Sequence, residues 1–451
     1  MLRKTLLSFA PLALVAAVGS AYADDTNVTL YGVLDAGVAN IQHSLNFDPN
    51  FVTAANPTVS KGTQSATGVF NGGLSASRWG IKGTEDMGDG LKALFLLESG
   101  INVGTGSVSN AGLSLARNAS TGPNTGLDSA ISGQLFARGA YVGLSSSSWG
   151  QLTLGRHQSF FLDNIATFDP MSGSQEFSPI GFSGSYGGGG FTDDSRVDNS
   201  LKYKITSGDF TVGALYKFGG VAGATSAQSG VEINGIYATG PLAVQLGFEQ
   251  FKDAFSIGNT SAAAATGTAT NGQTNNVTGA VSATAADTRA YMLSAKYTLA
   301  KTTGKIGFER EEFQNPTNAT ADLGVNTVFG QTISAMNVNA FPLGKKTLNV
   351  YWIGATQEFT GGWSLSGAAY HVAQNGYNCP ASGTGSGCSG ALNYYSLLGD
   401  YRFTKRTDMY VGAMFDRVSG GPATAVANSV ASGLASETVN RIIGLGMRHV
   451  F

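Results

Sequence analysis

Val28-Thr-Leu-Tyr-Gly-Val-Leu-Asp-Ala-Gly-Val38 decides the fold. Side chains along a strand point alternately to opposite faces, so Leu30, Leu34 and Val38 share one face and Thr29, Tyr31 and Asp35 the other. One face is greasy and the other polar, the pattern of a wall that separates lipid from water.

The same alternation returns down the chain as hairpins closed by Gly- and Asp-containing turns. Ser77 to Glu85 pairs with Leu91 to Ser99, Arg138 to Leu144 with Gly150 to Arg156, and Ser200 to Ile205 with Phe210 to Phe218. Val231 to Thr239 pairs with Ala243 to Phe251, and Arg289 to Leu299 with Lys305 to Phe313. Leu348 to Phe359 pairs with Trp363 to Val372, and Tyr394 to Phe403 with Met409 to Phe415. With the first strand and a last one, Val439 to Phe451, the pattern predicts an all-β, sixteen-stranded antiparallel transmembrane β-barrel. Its two end strands must pair, because each unpaired backbone group at an open edge in hydrocarbon costs several kcal/mol.

Composition agrees. Of 451 residues 63 are Gly, and only 12% are charged, against the roughly 25% usual in soluble domains. The mean hydropathy of +0.02 suits a wall with one lipid face and one wet face. Arg3 and Lys4, the apolar run Leu6 to Val18 and Ala21-Tyr-Ala23 read as a secretory signal peptide over 1–23, cleaved to leave a single barrel domain over 24–451. Removing Arg3 and Lys4 from 27 basic residues against 29 acidic ones takes the formal charge from −2 to −4, which gives no reason to expect a nucleic-acid partner. Export to an oxidising compartment predicts a local disulfide between Cys379 and Cys388. A metal site there would need two further ligands, and His371 alone does not supply them.

Further stretches carry a family resemblance: Ser77-Arg-Trp-Gly-Ile-Lys-Gly-Thr-Glu-Asp86, Gly150-Gln-Leu-Thr-Leu-Gly-Arg156, Arg196-Val-Asp-Asn-Ser-Leu-Lys-Tyr203 and Gly446-Met-Arg-His-Val-Phe451. In this order, after the first strand, they resemble the Gram-negative porin family, especially the trimeric general porins of β-proteobacteria, over nearly the whole mature chain. The resemblance implies a Gram-negative outer-membrane channel for passive diffusion of ions and small hydrophilic solutes. It implies a homotrimer among outer-membrane lipid and lipopolysaccharide, with the second loop, Gly100 to Ser132, as the latch onto a neighbour. It also implies a third loop, Phe160 to Asp194, folded into the lumen as the constriction, with Asp169, Glu176 and behind them Asp163 as its acids. Gln175 stands where the family has Pro before the Glu, a departure at that point. Opposite, the family's arginine ladder matches Arg78, Arg156 and Arg196, and Phe451 matches its C-terminal assembly signal.

Alternation tests the basic positions. Arg78, Gly80 and Lys82 share a face opposed to Trp79 and Ile81, so Arg78 and Lys82 should both face the lumen. Arg196, Ser200, Lys202 and Lys204 likewise oppose Leu201, Tyr203 and Ile205. Arg156 falls with Leu152 and Leu154 on the lipid face unless a bulge at Gly155 re-aims it. Arg138 shares a face with Val142 and Leu144 and reads as a rim or loop contact. Cations on one wall and carboxylates on the other would set a transverse field that orients polar solutes and excludes apolar ones.

Other functions have less to stand on. The four histidines, His43, His157, His371 and His449, sit in no recognisable Ser and acid constellation, so an enzyme is not expected. No stretch has the form of a phosphate-cradling loop, a haem ligand pair or a clustered metal site, so no cofactor is expected. A substrate-specific channel is the nearer alternative. A non-conducting structural or adhesive barrel would show a lumen filled with bulky apolar side chains, which the inward Gly, Ser, Thr and Lys oppose.

Overall fold

The computed structural model describes residues 27–47, 61–106, 108, 135–181, 196–257, 280–317, 327–328, 331–338, 341, 344–376, 389–420 and 435–451. The predicted signal peptide, both cysteines, most of the second loop and residues 182–194 of the third lie outside them.

Among the described residues, nineteen strand segments form one sheet. They are β1 (Asn27–Phe47), β2 (Lys61–Asn71), β3 (Arg78–Gly88), β4 (Leu91–Gly100), β5 (Gly139–Ser146), β6 (Gly150–Gln158), β7 (Arg196–Ser207), β8 (Phe210–Lys217), β9 (Gly230–Thr239) and β10 (Leu242–Ile257). They continue with β11 (Ala280–Leu299), β12 (Thr302–Gln314), β13 (Thr327–Val328), β14 (Gln331–Asn337), β15 (Lys346–Glu358), β16 (Trp363–Gln374), β17 (Gly390–Arg402), β18 (Thr407–Gly420) and β19 (Ala435–Val450). β2 and β3 are successive halves of one wall strand, since both pair with β1, at Ala36 to Asn46 and Asn27 to Val33 respectively. β13 and β14 belong to the connection between β12 and β15, which themselves pair directly. The wall therefore has sixteen strands, all antiparallel to their neighbours.

β1 and β19 close the barrel in register from Val33↔Val450 to Asn46↔Glu437. Phe451 completes the seam: its N–H donates to Gly32 O and Gly32 N–H to its carbonyl, each at 3.0 Å. Among the described residues, no backbone edge of this wall is left to the hydrocarbon, where it would be most costly.

The exposure pattern follows the predicted alternation. Val28, Leu30, Leu34 and Val38 are exposed on β1, while Val33, Asp35, Ala39 and Ile41 are buried. Near the short turns the outer face carries aromatic pairs, Phe210 with Tyr237 at 4.8 Å and Trp363 with Tyr401 at 4.7 Å between ring centroids, suited to a membrane interface. The strands run longer than the apolar pattern predicts. The 21 residues of β1, at about 3.3 Å each, outrun an apolar band of about 25 Å even when tilted. β2 is missed by the apolar pattern because Lys-Gly-Thr-Gln-Ser-Ala-Thr-Gly opens it with no greasy face at all.

The buried face differs from the one expected. On β15 to β18 it carries the bulky Val350, Trp352, Tyr370, Val372, Tyr394, Tyr410 and Met414 beside the small polar Thr347, Ser366 and Ser396. The bulky residues join Phe161, Ile165, Phe177 and Ile180 of the segment after β6 in one apolar cluster. The bulky side chains lie where that segment covers the wall.

Candidate pore constriction

The basic side is built by β3 to β7. Glu98, near the end of β4, is its centre. Arg138 Nε lies 2.9 Å from Glu98 Oε1, Arg78 Nε lies 3.6 Å from Oε2, and the Tyr31 hydroxyl donates to Oε2 at 2.8 Å. Lys82 places its ammonium 5.0 Å from the centre of the Tyr31 ring, a cation held on an aromatic face. Arg138, expected at the rim, is instead 9% exposed. It sits one residue before β5 begins, so strand alternation does not govern its direction.

Arg156 owes its direction to a bulge. The β6–β7 register shifts between Gly155 and His157, and Gly155 takes φ +141°, a conformation that L side chains rarely adopt. The extra residue turns Arg156 away from Leu152 and Leu154. Its Nε–H donates to Ala137 O at 2.6 Å and its guanidinium pairs with Asp198. A Cβ on Gly155 would stand 2.1 Å from Ala140 O. Gly155→Ala should therefore cost at least about 2 kcal/mol through strain and clash together. Thermal unfolding in detergent checks it, and an unchanged midpoint would contradict the bulge. Arg196 is 4% exposed, opposite Gln158.

The segment after β6 begins with a helix, Phe160–Phe168, absent from the sequence-based expectation. Ser159 caps it by accepting from Leu162 N–H at 3.0 Å, and Glu232 of β9 accepts from Phe160 N–H at 2.7 Å. Asp163 lies in the first turn, where a negative charge meets the positive end of the helix dipole. Its carboxylate accepts from Lys202 Nζ at 2.9 Å and from Gln158 Nε2 at 2.7 Å. Lys202 also lies 4.1 Å over the Phe160 ring.

Three groups then fix the helix end. Trp352 Nε1–H donates to Phe168 O at 3.1 Å, Lys305 Nζ to Asp169 O at 2.8 Å, and the Tyr370 hydroxyl to Asp169 Oδ1 at 2.5 Å. Asp169 Oδ2 accepts from Gly173 N–H at 2.7 Å, tightening the turn that follows. Burial pushes the Asp169 carboxyl above its ordinary range, against the opposing hydrogen bonds from Tyr370, Gly173 and Ser178 and the nearby charge of Lys305. Farther on, the Ser174 hydroxyl and Glu176 N–H both donate to Gly73 O, at 2.7 and 3.2 Å.

Of the three expected acids, only Asp163 both reaches a base on the wall and keeps an exposed side chain, 45% accessible. Asp169 and Glu176 are 0% and 1% exposed, inside the packing of the segment. Glu98, Trp352 and Tyr370 were missed. Glu98 had a usable signal, a lone carboxylate closing the run Leu-Lys-Ala-Leu-Phe-Leu-Leu.

A cavity of about 530 Å³ opens at the short-turn end of the same wall, lined by Lys92, Ser145, Gln151, Lys204 and Thr206 among others. The chain thus combines a closed lipid-facing wall, a run of basic side chains on β3 to β7 and a segment that packs on the apolar residues of β15 to β18 and reaches the basic side through Asp163 and Lys202. The family model described as Gram-negative porin matches residues 10–421. The chain belongs to the Gram-negative porin family. An outer membrane porin protein of Bordetella pertussis is 28% identical to this porin over 100% of both chains. Among solved structures, the anion-selective porin from Comamonas acidovorans matches 95% of this chain and 100% of its own, with TM-score 0.60 and 22% identity. The outer membrane protein OmpT of Vibrio cholerae in its trimer form matches 95% and 100%, with TM-score 0.54 and 15% identity. Outer-membrane proteins of this fold thus include trimers. The present porin lies in the outer membrane and is a channel for passive diffusion.

Proposed function

We propose that the aqueous path of this porin runs between the basic face of β3 to β7 and the segment beginning at Phe160, with the third loop, 160–194, folded into the lumen as the constriction, and that the path favours anions. The observation that carries this reading is the contrast in exposure. Asp169 and Glu176 are buried and Glu98 is shared by two arginines, whereas Lys82 is exposed and the side chain of Arg78 is 28% accessible. Uncompensated positive charge therefore faces the water on that wall, and charge at a narrow, low-dielectric passage decides which ions enter. Lys92 and Lys204 at the short-turn cavity extend it towards that mouth.

Asp163 is the constriction acid of this reading, set against Lys202. Asp169 and Glu176 hold the segment in shape. The protein works as a homotrimer among outer-membrane lipid and lipopolysaccharide, passes small hydrophilic solutes, uses no cofactor and performs no reaction. The Ser200 hydroxyl does lie 2.7 Å from His157 Nδ1. Both residues are buried, however, Ser200 also bonds to Gly155 O and Val197 O, and no carboxylate orients the imidazole among the described hydrogen bonds.

Reversal potential across a planar bilayer under a tenfold salt gradient tests the reading. Wild type should prefer anions, Arg78→Ala and Lys82→Ala should each weaken that preference, and Asp163→Ala should strengthen it. Cation preference in wild type, or indifference to all three substitutions, would overturn the assignment.

A further inference from the structure

We propose that Asp35 is a positioning residue for residues 174–177 of the third loop, acting through the six-residue break between β2 and β3. The proposal rests on the third loop being the constriction as far as its effect on current is concerned, and on geometry alone as far as the contacts are concerned.

Asp35 lies on the inner face of β1 and is 0% exposed. The break at 72–77 wraps around it. Asp35 Oδ1 accepts from Gly73 N–H at 3.2 Å, and Oδ2 from Leu74 N–H at 2.8 Å and Ser75 N–H at 2.7 Å. Three successive amides converging on one carboxylate make an anion nest, here filled by a side chain of the protein itself. The main chain of Asp35 adds to it: its carbonyl accepts from Gly72 N–H at 2.7 Å and from the Ser77 hydroxyl at 2.8 Å, and its N–H donates to Ser77 Oγ at 2.9 Å. A residue on one strand thus bonds to five of the six residues of the break.

The other side of the break holds the loop. Gly73 O accepts from both the Ser174 hydroxyl and Glu176 N–H, and Ser174 Oγ in turn accepts from Phe177 N–H at 3.0 Å. Tyr410 of β18 ties the two sides together. Its hydroxyl donates to Asp35 Oδ1 at 2.5 Å, and its ring meets the Phe177 ring edge-on at 6.3 Å. Arg448 of β19 braces the break from outside the nest, donating to Ser75 Oγ at 3.0 Å and to Asp408 at 2.8 Å. The route is continuous: the carboxylate sets the direction of the amides, the amides set the direction of Gly73 O, and Gly73 O seats residues 174–177. The helix Phe160–Phe168 has its own anchors at Glu232, Trp352 and Tyr370, so the clamp governs residues 174–177.

Asp35→Asn keeps the shape but replaces one accepting oxygen by a donor aimed at backbone N–H groups. Amide hydrogen exchange of the folded trimer in detergent, read on peptides covering 73–75 and 174–177, is the test. Exchange should quicken about tenfold in both peptides, the effect of losing one charge-assisted hydrogen bond, while β10 to β12 stay at the wild-type rate. Ser174→Ala, which leaves the nest intact, should quicken only the 174–177 peptide, and it serves alone if Asp35→Asn does not fold. Quickening at 73–75 without 174–177, quickening spread evenly over the barrel, or no change with Ser174→Ala would overturn the proposal. Single-channel recordings of the same variants separate it from the reading it rests on. If 174–177 loosens and the current becomes noisier, both stand; if it loosens and the current is unaltered, the clamp stands and the constriction does not.

Discussion

Glu98→Ala should be among the most destabilising single changes in the wall, lowering stability by about 3 kcal/mol. Removing one member of a buried charge cluster strands the others, and such losses run to about 3–5 kcal/mol. The lower end applies because the Arg78 side chain keeps 28% of its surface in water. Arg138 at 9% has no such recourse, and the Tyr31 hydroxyl loses its acceptor. The same change unmasks two positive charges on the basic wall, so anion preference should rise in whatever fraction folds. Urea titration in micelles, followed by tryptophan fluorescence, reads the first effect and reversal potential the second. A stability loss below about 1 kcal/mol, the range of exposed ion pairs, would mean that Glu98 is not the centre of the cluster.

Trp352→Ala should cost as much or more, about 3–5 kcal/mol, the usual range when a buried Trp or Phe is cut to Ala. Trp352 is 2% exposed, its ring lies against the Gly307 backbone, where an added Cβ would stand 2.1 Å from it, and its indole N–H holds Phe168 O. The change opens a cavity between wall and segment and also releases the C-terminal end of the helix Phe160–Phe168. Trp352→Phe fills most of the space without the N–H, so it should recover most of the stability while leaving the helix end looser. Equal losses for both substitutions would show that the hydrogen bond, and not the packing, carries the effect.

The barrel was legible because its physics is periodic. Each hairpin alternates apolar and polar side chains, and that rule needs no knowledge of distant contacts, so it finds sixteen wall strands, though it misses the β2 half of the second and the outer ends of several others. What escaped depends on partners far away in sequence. The helix Phe160–Phe168 has its buried residues at 160, 161, 164, 165 and 168, a helical spacing masked by reading the whole stretch as a loop. Trp352 and Tyr370 lie on ordinary-looking strands and become special only through partners 184 and 201 residues earlier. Arg156 shows the rule and its limit together: alternation alone points it to lipid, and one glycine in an unusual conformation reverses that. The acids failed to separate for the same reason, since nothing local distinguishes the exposed Asp163 from the buried Asp169 and Glu176.

Asp163→Cys in a conducting channel tests the central claim, that the segment after β6 lines a water-filled path opposite the basic wall. A cationic methanethiosulfonate reagent added during single-channel recording should lower the current in steps as each pore is modified, with wild type, which carries Cys379 and Cys388, unaffected by the same reagent. Complete modification of residue 163, verified by mass, with no change in current would contradict the claim and place the segment away from the path of the ions.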